Sequence, residues 1–169
     1  MVFSYRAFFG GAYAGGCLFC PERRAELKDI IHEDEQVLII RNRALAGTDH
    51  WLIIPKRHIR DVERCTDADV PLLQAMERAL KSRLREKYPH IAPSDIYAGY
   101  HRGHRPLGGW FKTFGSPDII SVHHLHLHVI IRPCWYSRWL KYPFWFPLMW
   151  ISAESVRAKW NLETSSISN

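Results

Sequence analysis

The sequence predicts an α+β domain built on an antiparallel sheet. Two observations carry that expectation. Short apolar runs, many rich in β-branched residues, recur at strand length between turn residues: "QVLIIR" at 36–41, "HWLIIP" at 50–55, "DIYAGYH" at 95–101 and the stretch "HHLHLHVII" at 123–131. One long segment with helical spacing lies between the second and third of them, so strands pair with strands rather than alternating with helices.

Each element has a local reason. Residues 1–16, "MVFSYRAFFGGAYAGG", are apolar and Gly/Ala-rich, without the basic start and clean apolar core of a signal peptide, and read as a loose arm. "RNRALAGTD" is a polar, Gly-containing loop between the first two strands, and Pro55 closes the second because it cannot donate to a ladder. Thr66 is a plausible N-cap, with Asp67 and Asp69 near the positive helix end. Leu73, Met76, Leu80 and Leu84 then recur on one helical face, Pro71 is tolerable in the first turn, and Pro89 bounds the segment. Residues 102–118 hold four glycines and two prolines and read as a long loop. The histidine strand ends at Pro133. The expected organisation is an arm at 1–16, a domain at 17–133 and a Trp-rich extension at 134–169 that docks on the domain or on a partner.

The chain has 169 residues, 47% of them apolar, enough for one domain with a sizeable core. Its net charge of +6 suits anionic partners such as nucleotides, nucleic acid or acidic lipid, or is simply a basic surface. Four cysteines are too few for a disulfide framework, and C-x-x-C at Cys17 and Cys20 points to metal or redox chemistry in a reducing compartment, cytosolic or cytosolic and nuclear. The extension holds five of seven tryptophans, but Arg138, Lys141 and two prolines interrupt it, so it does not read as a bilayer span. It packs on the domain, covers a partner or dimer surface, or sits at a membrane interface.

In a strand, His124, His126 and His128 share one face, with about 6.6 Å between successive positions, while Leu125, Leu127 and Val129 face the core. Imidazole can be base, acid, nucleophile or ligand near neutral pH. A merely polar face is more usually built from Thr, Lys or Glu. His50 and His58 stand at the two ends of the upstream strand and turn, "DHWLIIPKRHI". Cys17, Cys20, His58 and one strand histidine make a Cys2His2 set suited to structural zinc.

"HLHLHVI", "GTDHWLIIPKRHI" and "CLFC" before "EDEQVLII", in consistent order along the chain, resemble the signature blocks of the histidine triad (HIT) family of nucleotide hydrolases and transferases. "GYHRGHRP" and the Trp-rich extension look most like the third subgroup of its Hint branch, the adenosine 5′-monophosphoramidases. The resemblance implies a HIT-like fold, with a sheet of about five strands, one long helix and one or more short ones. It implies His126 as the nucleophile that forms a nucleotidyl-imidazole intermediate. His128 would contact the phosphate or bridging atom and help protonate the leaving amine. His124 would orient the nucleophile or ligate zinc, His50 would support, and Ser121 would stand near the leaving group. Leu18, Phe19, Asn42, Ser121, His126 and His128 would contact the nucleotide. No cofactor is required, and Cys17, Cys20, His58 and His124 would hold any structural zinc. Homodimers are common in the family.

Two departures matter. Hint proteins usually place an Asp against the ribose hydroxyls where this chain has Asn42, which loses a charge-assisted acceptor pair. The 102–118 loop replaces the Asn and Gly run that often precedes the triad, and Arg102, His104, Arg105 and Lys112 could supply charge there or form a solvated basic loop. The expected activity is hydrolysis of the P–N bond of purine nucleoside 5′-phosphoramidates. The alternatives are a dinucleoside polyphosphate hydrolase, a DNA deadenylase, or a non-enzymatic nucleotide-dependent interaction protein.

Overall fold

The computed structural model describes residues 16–104, 122–136, 139 and 148–162. Six antiparallel strands form one sheet: β1 (Ile30–Glu33), β2 (Val37–Arg41), β3 (Gly47–Pro55), β4 (Ile96–His101), β5 (Leu127–Pro133) and β6 (Trp150–Ser152), in spatial order β1-β2-β3-β5-β4-β6. Helix α1 (Val70–Lys87) links β3 to β4, and helix α2 (Ala153–Lys159) follows β6. The α+β antiparallel expectation holds. The count exceeds it because β1 and β6 are too short to stand out as apolar runs, and pairing with β2 and β4 makes them strands.

Alternation divides the sheet into two faces. Val37, Ile39, Trp51, Ile53, Leu127, Val129 and Ile131 point toward α1 and pack with Leu73, Met76, Leu80 and Leu84. Burying each leucine contributes about 1.5–3 kcal/mol, so this face carries most of the apolar stabilisation. The helix starts through a 3-10 turn at Asp67–Asp69, whose Asp69 carboxylate accepts from the Thr66 amide at 2.7 Å and hydroxyl at 2.9 Å. At the other end, Lys87 and Tyr88 donate to buried Asp49 of β3 at 2.5 and 2.7 Å. Burial would raise the Asp49 pKa, but those two bonds and the Lys87 charge outweigh it and hold the carboxyl below its ordinary value.

Leu38, Ile40, Leu52 and Ile54 point to the opposite face, where Phe19, Cys17, Leu18, Leu27 and Val122 cover them. His50 and His128 share this face by alternation with Leu52 and Ile130. The extension contributes β6 at the sheet edge and α2, whose Arg157 pairs with Glu77 of α1 at 3.0 Å. Trp135, Tyr136 and Trp139 of the same extension are exposed. Among the described residues no helix is long and apolar enough to cross a membrane.

Candidate active site

The histidine run is not one continuous strand. The β3·β5 ladder ends at Ile53↔Leu127, so only His128 lies within β5, whereas His124 and His126 precede it. This corrects the expectation of three imidazoles spaced along one strand face. The reason lies on the facing strand. Continued register would set Leu125 opposite Pro55, which has no N–H to offer, and the Pro55 carbonyl instead accepts from the His124 ring Nε2 at 2.7 Å. The Leu125 amide turns to the Ile59 carbonyl at 2.6 Å. The break draws the His126 and His128 ring centroids to 4.7 Å, closer than strand spacing would place them.

His126 donates from Nδ1 to the His124 carbonyl at 2.6 Å. A carbonyl only accepts, so Nδ1 carries the hydrogen and Nε2 carries the lone pair. Burial pushes the His126 pKa below the ordinary histidine value, against the carbonyl bond that favours the cation. The ring is therefore neutral near pH 7, with a free lone pair for attack.

His50 donates from Nδ1 to the Ala44 carbonyl at 2.9 Å, which makes its Nε2 the acceptor for His128 Nδ1 at 3.0 Å. The chain Ala44–His50–His128 thus orients the third triad imidazole from the β3 side. Asn42 lies beside it: its Oδ1 accepts from the Ala44 amide at 3.1 Å, and its Nδ2 approaches the His50 ring at 3.3–3.4 Å. Asn42 therefore shapes the loop that holds His50, a link its sequence position alone does not reveal.

Four other groups converge a few ångströms away. The ligand atoms of Cys17, Cys20, His58 and His124 all lie within 4.8 Å of one another. His124 Nδ1 is 3.3 Å from Cys17 Sγ and 3.7 Å from Cys20 Sγ, and His58 Nδ1 is 3.2 Å from Cys20 Sγ. Ligand atoms around tetrahedral zinc stand about 3.3–3.8 Å apart, so this set fits the metal. The Pro55 carbonyl fixes the His124 tautomer from outside, as a ligating histidine requires. Burial and the neighbouring Cys17 push the Cys20 thiol up to about 11, and burial brings His124 down to about 4, so a bound cation is what would hold the thiolates here. Phe19 touches both groups, with its ring 5.9 Å from His124 and 5.5 Å from His126, edge-on to each. Leu18 lies beside it in the cluster covering Leu38 and Ile40.

Ser121, Arg105 and Lys112 lie outside the described residues. Arg102 pairs with Glu63 at 2.5 Å, and His104 is exposed. Two site residues are not singled out by the sequence. His101 of β4 meets His128 edge-on at 5.0 Å, and Trp150 of β6 lies 5.8 Å from His128. The signal for His101 is its alternation with Tyr97 and Gly99; Trp150 has none, because only pairing with β4 brings it here.

Comparison with known proteins places the chain in a family. The family model described as "Scavenger mRNA decapping enzyme C-term binding" matches residues 16–135. The chain is 27% identical to adenosine 5′-monophosphoramidase HINT3 of Xenopus tropicalis over 121 residues, covering 70% of this chain and 69% of that protein. It is 31% identical over 151 residues to the bifunctional adenosine 5′-phosphosulfate phosphorylase/adenylylsulfatase HINT4 of Arabidopsis thaliana, covering 85% of this chain and 90% of the relative. Among solved structures it resembles a HIT family hydrolase from Clostridium thermocellum, with a TM-score of 0.53, 27% identity and coverage of 68% of this chain and 89% of that one.

Proposed function

The chain belongs to the histidine triad family of nucleotide hydrolases, and on that premise we propose that it cleaves the P–N bond of purine nucleoside 5′-phosphoramidates. The observation that carries the reading is the 2.6 Å bond from His126 Nδ1 to the His124 carbonyl, which leaves Nε2 of a neutral imidazole as the attacking atom. Nε2 attacks the α-phosphorus, a P–Nε2 bond forms, and the P–N bond to the amine breaks. His128, when protonated at Nε2, gives that proton to the departing amine and shares its positive charge with His50 through the 3.0 Å bond. Water then attacks the nucleotidyl-imidazole, His128 takes a proton from it, and the 5′-monophosphate leaves. Zinc on Cys17, Cys20, His58 and His124 would act structurally, by tying the segment after residue 16 to the loop after β3.

A second reading has its own support. The relative named as an adenylylsulfatase matches over 151 residues, beyond the triad and into the extension. Sulfate is a stable anion and leaves without a proton, so adenosine 5′-phosphosulfate would need His126 but not the acid role of His128. The test measures turnover of an adenosine 5′-phosphoramidate, adenosine 5′-phosphosulfate, a diadenosine polyphosphate and an adenylated DNA nick, by wild type, His126→Ala and His128→Gln. The phosphoramidase reading expects the first substrate to be fastest and to suffer from both substitutions. A phosphosulfate rate that dominates and survives His128→Gln overturns it in favour of the second reading. No turnover of any substrate, with intact partner binding after His126→Ala, favours a nucleotide-dependent interaction protein.

A further inference from the structure

We propose that Trp150, supplied by the C-terminal extension, is a positioning residue that holds the His128 ring in its reactive orientation. The inference rests on His128 taking part in the chemistry above. Register places it there. Trp150 stands opposite His101 across the β4·β6 pair, and Gly99 of β4 stands opposite both Ser152 and His128. Tyr97, Gly99 and His101 alternate onto the same face as His128.

An indole can lie across this face only because residue 99 has no side chain. A Cβ built on Gly99 would sit 2.5 Å from Trp150 Cε2 and Cζ2 and 2.5 Å from the Ile151 backbone oxygen of β6. In that gap the indole stacks on Tyr97 at 5.4 Å and 10°, meets His101 at 5.2 Å and 83°, and rests against His128 at 5.8 Å and 48°. It is 3% exposed. His128 is therefore held by His50 from the β3 side and walled by His101 and Trp150 from the β4 side. Turning the ring by half a revolution exchanges Nδ1 for Cδ2 and breaks the 3.0 Å bond to His50. The aromatic wall crowds that motion.

The wall is itself anchored. The Arg102 amide donates to the Met149 carbonyl at 2.9 Å, and Ser152 caps α2 by accepting from the Ser155 amide at 3.0 Å. Arg157 reaches Glu77 of α1, while Val156 and Leu162 are buried in the helix-side core. An element after the triad thus reaches back across the sheet edge to complete the support of its third histidine.

The test uses the full chain labelled with 15N-histidine, together with steady-state kinetics on whichever nucleotide wild type turns over. In wild type the neutral His128 gives one Nδ1–H tautomer. Trp150→Leu and Gly99→Ala average that signal and lower kcat about ten- to a hundredfold with KM within about threefold, and Trp150→Phe restores kcat to within about threefold. If Trp150→Leu does not fold, Trp150→Met, which keeps a long apolar side chain but no flat ring against His128, reads the same loss, with Trp150→Phe as the folded control. Unchanged His128 signals and kcat, with only a lower Tm, would make Trp150 a packing residue and overturn the proposal. Averaged His128 signals in a protein that turns over no nucleotide would leave the positioning role standing and remove the enzymatic reading instead.

Discussion

His124 and His126 are two residues apart, equally aromatic and both buried, yet they are wired in opposite senses. His124 gives its Nε2 hydrogen to the Pro55 carbonyl and turns Nδ1 toward two thiols. His126 gives its Nδ1 hydrogen to the His124 carbonyl and leaves Nε2 with its lone pair, the atom proposed to attack phosphorus. One ring suits a metal and the other a nucleotide, and the residue type is the same. Which nitrogen a backbone carbonyl takes decides which one each ring has left to offer, and Phe19 meets both rings edge-on. The carbonyls differ because the chain leaves the ladder at this point: Pro55 cannot extend the pairing, and its oxygen becomes available to a side chain.

The widest separation between the two histidines comes from deleting the proposed nucleophile. His126→Ala should cut turnover by roughly 10³-fold or more while leaving zinc content and Tm near wild type, read by single-turnover kinetics and metal analysis. Loss of zinc along with turnover would mean that the two histidines are one unit.

The converse substitution acts on stability. Cys17→Ser should abolish zinc binding in protein purified without added metal, and lower unfolding free energy by about 3–4 kcal/mol, the linkage for a metal held at 100 to 1,000 times its Kd. Turnover should fall by no more than about tenfold, because the loss reaches His126 indirectly, through Phe19 and the His124 carbonyl. A protein without metal whose urea midpoint is unmoved by the substitution removes the zinc assignment.

Acid should separate the two histidines further. In chelator-treated protein the buried His124 has a pKa of about 4, below its unfolded value of about 6.5. The unfolded chain therefore takes up the proton first. The contribution is fully present above pH 6.5 and is lost as pH falls toward 4. The Tm of the chelated protein should drop across that window, and His124→Asn should flatten the drop.

The smallest effect is expected at Asn42. Asn42→Asp offers the ribose a charged acceptor and should lower KM for an adenosine substrate about three- to tenfold, the scale of one charge-assisted hydrogen bond. A change in kcat with KM constant would instead place Asn42 behind His50, whose ring its Nδ2 approaches at 3.3–3.4 Å.

Much of this molecule is legible in its sequence. Period-two apolar runs, one amphipathic segment and well-placed prolines specify an antiparallel α+β sheet, because each is a local preference that a dozen residues can express. Cys17, Cys20, His58 and a triad histidine are legible as a ligand set, since few other residue types make that chemistry. The tertiary structure decided what depends on a neighbour distant in sequence. Pro55, about seventy residues upstream, ends the strand before Leu127 and sets the His124 tautomer. Gly99 makes room for an indole fifty-one residues downstream, and β6 exists only because β4 offers it an edge. The chain's own composition chose which imidazoles stand in the site. Which nitrogen each one presents was left to carbonyls and aromatic walls that only the folded sheet brings within hydrogen-bonding and contact distance.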